Sequence, residues 1–94
     1  MIEQRFDSVW DAIEPTPAEA ANMKARAELM IAVAAAVDGW NLARAESAQR
    51  LAVSLPRLND LMKGRITKFS LDALMRLAAH AGLAVRVEVT KAAA

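Results

Sequence analysis

Basic side chains are concentrated in one part of this 94-residue chain, between positions 44 and 68. That stretch has six basic and two acidic residues, a net charge of +4, whereas the whole chain carries +1. Clustered lysines and arginines neutralise phosphates, so the pattern favours a surface that binds a nucleic-acid backbone. An ordinary solvated surface has a similar composition, and charge alone does not decide between the two. The basic residues are Arg44, Arg50, Arg57, Lys63, Arg65 and Lys68.

Residues that carry out catalysis or bind metals form no recognisable group in the sequence. The chain has no cysteine, which excludes disulfides, thiolate zinc sites and cysteine catalysis and is typical of a reducing compartment. The single histidine, His80, is isolated, and the serines lie outside nucleophile motifs. The carboxylates lack metal-ligand spacing. We therefore expect no enzyme activity, no metal and no cofactor.

The basic stretch coincides with two short amphipathic helices separated by a tight turn. Apolar residues recur at helical spacing over positions 42–51, and positions 52–54 interrupt the pattern. Ser54 and Pro56 suit the start of the second helix, because a serine hydroxyl caps a first turn and proline needs no bonded N–H there. Gly64 is the predicted stop. Two helices joined in this way form a helix-turn-helix, whose second helix enters the DNA major groove.

The helix-turn-helix interpretation assigns roles to particular side chains. Arg57 and Asn59, on the second helix, are predicted to contact base edges. Leu55 offers only apolar contact, for example to a thymine methyl, and Ser54 is expected to contact a base or a phosphate. The residues predicted mainly to bind phosphates are Arg44, Lys63, Arg65 and Lys68.

Two further helices are predicted around this motif. Thr16 and Glu19 form a capping-box start for a helix that runs to Asp38. Ser70 is the predicted cap of a later helix that ends at Gly82. These helices supply the apolar faces on which the helix-turn-helix must pack.

Beyond Gly82 the apolar period changes from 3.6 residues to two, which is typical of a half-buried strand. The sequence contains no second strand of comparable pattern, and a lone strand leaves its backbone groups unpaired. The expected partner is the same strand of a second copy, in an antiparallel ribbon that makes the protein a homodimer. The residues predicted to form this dimer interface are Leu83, Val85, Val87 and Val89.

Residues 1–15 contain an amphipathic cluster that is too short to be a stable helix alone. Packing onto the same chain and binding in a partner's groove fit the pattern equally well. Residues 1–38 carry a net charge of −4, which suggests a basic partner. The apolar residues of the cluster are Phe6, Val9, Trp10 and Ile13.

The predicted fold class is mainly α: four or five helices with a helix-turn-helix and one C-terminal β-strand. Residues 16–82 form the predicted domain, preceded by the 1–15 partner-binding or packing segment and followed by the 83–94 dimerisation strand and frayed tail. The longest apolar run, residues 29–37, is too short to cross a bilayer, and the N-terminus lacks a signal-peptide pattern. We therefore expect a cytoplasmic protein with no membrane contact.

The run RAESAQRLAVSLPRLNDLMKG resembles the helix-turn-helix of the XRE (lambda-repressor-like) family. The continuation RITKFSLDALMRLAAHAGLAVRVEV is similar to the branch that contains HigA-type antitoxins, in which a dimer-forming strand follows the final helix. The segment FDSVWDAIEPTPAEAANMKARAELM also resembles that branch. The resemblance implies an antitoxin that represses its own operon through a palindromic operator and neutralises a RelE/HigB-type toxin. Stand-alone regulators also occur in this branch.

The chain departs from the family pattern within the motif. Ala43 and Arg44 stand where the family usually has Thr-Gln, and Ala52 replaces the usual turn glycine. Leu55 replaces the polar residue that opens the second helix, and Asn59 replaces a common serine. Because polar positions are lost, the alternative function is a toxin-neutralising interaction module, or a stand-alone regulator with weak or lost base-specific readout.

Overall fold

The computed structural model describes residues 16–93. Within them, α1 (Pro17–Trp40) and α4 (Leu71–His80) pack against each other, and α2 (Arg44–Leu51) packs against α3 (Leu55–Met62). A single 3-10 turn, Ile66–Lys68, lies between α3 and α4. The mainly helical fold class is confirmed.

The start of α1 is determined by the predicted capping box. The backbone N–H of Glu19 donates to Thr16 Oγ1 over 3.1 Å, and the Thr16 N–H donates to Glu19 Oε1 over 2.9 Å. At the other end the helix continues two residues beyond the predicted Asp38. It ends where Asn41 adopts a left-handed conformation with a φ of 55°. Asparagine tolerates that conformation better than most residues, so it supplies the stop.

The helix-turn-helix forms where the sequence predicts it. Ala52 ends α2 in a left-handed conformation, with a φ of 60°. The Val53 N–H then donates a hydrogen bond to the Ala48 carbonyl over 2.9 Å. Ser54 Oγ then accepts the N–H of Arg57 over 3.2 Å and caps α3. Because Ala48 is small and buried, α2 can approach α3 closely at this point.

One continuous core joins all four helices. Phe69, in the connection between α3 and α4, is only 1% exposed and is the largest of the fully buried side chains. Ser70 Oγ caps α4 by accepting the Ala73 N–H over 3.0 Å, as predicted. The other buried apolar residues are Met30, Val33, Val37, Ala48, Leu51, Leu58, Leu61, Leu74, Leu77, Ala78 and Ala81.

Residues 83–93 follow α4, and no strand is assigned anywhere in residues 16–93. Leu83 is half-buried, and its N–H donates to the Ala78 carbonyl over 2.9 Å. Val87 and Val89 are 73% and 87% exposed. A strand needs a backbone partner, and within the described part of this single chain none pairs with the segment. The predicted strand and dimer therefore stay predictions.

The sequence-based interpretation of Phe6, Val9, Trp10 and Ile13 lies outside the described residues. No helix among residues 16–93 is long and apolar enough to cross a membrane.

Replacing Ala52 by glycine is expected to raise the free energy of unfolding by about 0.5–1 kcal/mol, because alanine is strained at positive φ and glycine is not. The same change at Ala35, an exposed residue inside α1, should lower it by about 1 kcal/mol. Urea unfolding of both variants measures the difference. Destabilisation by Ala52→Gly would show that the turn does not strain alanine.

Candidate nucleic-acid interface

The outward face of α3 is exposed and lies opposite its buried leucines. Leu58 and Leu61 point into the core, at 0% and 2% exposure. At about 100° per residue, Pro56, Asn59 and Lys63 lie on the opposite side of the helix axis. All three are exposed. This face is therefore free to enter a groove.

Other predicted contact residues border this face. Ser54 caps α3 and remains exposed, and Leu55 is 42% exposed at the first helical position. Arg44 lies in the first turn of α2, where Ala43 supplies no side-chain cap. The guanidinium of Arg44 is 4.0 Å from the Asp38 carboxylate, and both side chains are at least half exposed. An uncapped helix start next to an exposed arginine suits a phosphate.

Arg65 is folded back onto the end of α3. Gly64 adopts a φ of 72°, and the Arg65 N–H then donates to the Asp60 carbonyl over 3.0 Å. The same geometry brings Arg65 Nη1 to 3.1 Å from Asp60 Oδ1. The ion pair partly neutralises Arg65 and holds it beside the outward face.

Arg57 points away from the outward face of α3. It lies roughly 160° around the helix axis from Asn59 and is half-buried. Its Nη1 donates to the Lys68 carbonyl over 2.7 Å, and its guanidinium carbon lies 4.0 Å from the centroid of the Phe69 ring. To reach a base edge as predicted, Arg57 would have to give up both contacts.

Arg26, on α1, is a residue that the sequence reasoning missed. Its Nη1 donates to the carbonyls of Ile66 and Phe69, each over 3.2 Å, and its Nε donates to Asn22 Oδ1 over 2.8 Å. These carbonyls are about 40 residues away in sequence. The sequence does contain a clue to this position. Arg26 stands four residues before the buried Met30, and residues at this spacing lie on the same face of a helix.

The basic residues of positions 44–68 therefore fall into two groups: those whose side chains make contacts within the domain, and those that are exposed and can bind a ligand. Arg50 lies with its guanidinium carbon 4.0 Å from the Trp40 ring centroid, so this arginine serves the packing of α2 on the end of α1. Lys63 and Lys68 are exposed and form no ion pair with any residue in the range 16–93. The available positive charge is thus concentrated at the end of α3 and in the connection that follows it.

Comparison with known proteins agrees with this geometry. No curated protein matches the chain closely enough to serve as a relative. A family model described as a helix-turn-helix domain matches residues 13–90, which include all four described helices. The chain therefore belongs to a family of helix-turn-helix domains.

Proposed function

We propose that this protein is a sequence-specific DNA-binding transcriptional regulator. The observation that carries the proposal is the exposed face of α3, on which Asn59 and Lys63 lie side by side in a helix-turn-helix domain. An asparagine can bind an adenine edge with two hydrogen bonds, and a lysine neutralises a phosphate. Family and face together favour double-stranded DNA over other ligands.

The contacts divide between sequence readout and positioning. Asn59 is the proposed base-reading residue, with Leu55 against a thymine methyl and Ser54 beside them. The proposed phosphate-binding residues are Arg44, Lys63, Arg65 and Lys68.

Asn59→Ala is expected to weaken binding to the DNA upstream of the protein's own gene by about 1–3 kcal/mol, and to change binding to a scrambled duplex little. Lys63→Gln should weaken binding to both duplexes and reduce the slope of log affinity against log salt by about one. Salt-titrated fluorescence anisotropy measures both effects.

The matched control is Lys24→Gln, which removes the same charge from an exposed position on α1. It should leave both affinities close to those of the unchanged protein. If Asn59→Ala weakened binding to the upstream and the scrambled duplex equally, Asn59 would not be a base-reading residue.

We further propose that the protein binds DNA as a homodimer. The proposal is supported by the alternating apolar residues 83–89 and by the exposure of Val87 and Val89. The same segment borders a groove of about 560 Å³ whose apolar lining includes Leu29, Met75 and Leu83. A two-fold dimer would present two copies of α3, as a palindromic operator with half-sites about 34–36 Å apart requires.

Val87→Lys is expected to convert the dimer to a monomer at micromolar concentration, because it places a charge within the proposed interface. Thr90→Lys is the control, since residue 90 lies on the opposite side of the predicted strand from the apolar residues 83, 85, 87 and 89. Sedimentation equilibrium gives the molar mass directly. A dimer that survives Val87→Lys would contradict this interface.

The resemblance to HigA-type antitoxins supports a finer proposal, namely autoregulation and neutralisation of a RelE/HigB-type toxin. The acidic charge of residues 1–38 and the apolar cluster Phe6, Val9, Trp10 and Ile13 suit a basic partner. An adjacent gene for a short basic protein of that type would favour this proposal. The second candidate is a stand-alone regulator with weak base readout, and it is favoured by Leu55 and Ala43 in the motif.

Deleting residues 1–15 is expected to abolish neutralisation of the toxin encoded beside this gene while leaving the dimer and DNA binding unchanged. Growth of cells that express both proteins reports neutralisation, and the double variant Phe6→Ala, Trp10→Ala tests the apolar cluster without a truncation. Full neutralisation by the truncated protein would exclude this segment as the toxin-binding surface.

A further inference from the structure

The connection between α3 and α4, residues 65–69, is held from its inner side by two arginines. Arg26 of α1 donates to the carbonyls of Ile66 and Phe69, and Arg57 of α3 donates to the carbonyl of Lys68. Three of the five carbonyls in this short segment therefore receive guanidinium hydrogen bonds. An exposed connection normally leaves such carbonyls to water.

The polar and basic side chains of the same segment are directed outward. Arg65, Thr67 and Lys68 are exposed, whereas Phe69 is buried beneath the guanidinium of Arg57. The backbone is thus fixed on one side, and the polar and basic groups are presented on the other. Fixing a binding segment before the ligand arrives lowers the entropy lost on binding.

We propose that Arg26 and Arg57 are positioning residues that hold this connection as a preformed binding element for a DNA phosphate, with Lys68 as its contact. The inference rests on the proposed DNA binding and adds a role for two residues that do not touch the ligand. It gives Arg57 a function other than base reading. It also explains why a charged residue occupies the inward face of α1.

A double-mutant cycle between Arg26→Met and Lys68→Gln tests the proposal. In the unchanged background, Lys68→Gln should weaken binding to the protein's own upstream duplex roughly fivefold and reduce the salt slope by about one. In the Arg26→Met background, the same change should have less than half of each effect, because Lys68 is no longer held in place. Anisotropy is measured well below the unfolding transition of every variant.

Two controls separate positioning from general destabilisation. Arg44→Gln removes a proposed phosphate contact on α2. It should weaken DNA binding by the same factor with or without Arg26→Met. Arg26→Lys retains the positive charge and an N–H donor, so it should restore most of the Lys68 effect. If Arg26→Met does not fold, Asn22→Ala weakens the support of the Arg26 Nε more gently and replaces it in the cycle.

The outcomes distinguish this inference from the function on which it rests. The positioning role is supported if Lys68→Gln weakens DNA binding less in the Arg26→Met background and if the effects of Arg44→Gln and Arg26→Met are additive. If the protein binds DNA but the effects of Lys68→Gln and Arg26→Met on affinity are additive, the positioning role alone is overturned. Absence of salt-dependent binding by the unchanged protein overturns DNA binding and the positioning role together.

Discussion

The burial of Phe69 beneath the guanidinium of Arg57 is the contact on which the arrangement of α3 depends. The ring fills the space between the helices, and a guanidinium stacked on it is partly removed from water. A charge in that position needs an acceptor, and the Lys68 carbonyl in the connection supplies one. Arg26 donates to two other carbonyls of the same connection, those of Ile66 and Phe69, so α1, α3 and the start of α4 are joined through one short segment.

This arrangement separates the cations that build the domain from those that face outward. Arg26, Arg50 and Arg57 are used in internal contacts, while Lys63 and Lys68 remain exposed. A count of basic residues therefore overestimates the charge available to a phosphate backbone. The polar groups that remain on the outward face of α3 are few, and Asn59 and Lys63 are the two on its surface. Such a face places most of the proposed sequence readout on one amide.

Local features were predicted well because they depend on residues three or four positions apart. The Thr16–Glu19 capping box and the serine caps at positions 54 and 70 are present as expected. The end of α1 was predicted two residues early, because Asn41 rather than a glycine supplies the left-handed residue. The strand over residues 83–89 stays a prediction, since no strand is assigned within residues 16–93.

The sequence by itself determined the helices, their caps and the helix-turn-helix, since periodicity and capping are short-range interactions written in neighbouring residues. It also placed Asn59 and Lys63 on the exposed side of α3, opposite the leucines. Only the tertiary structure decided where Arg26 and Arg57 point. A long side chain on the flank of a helix is directed by the acceptors it finds, and those acceptors lie 11 residues away for Arg57 and 40 or more for Arg26.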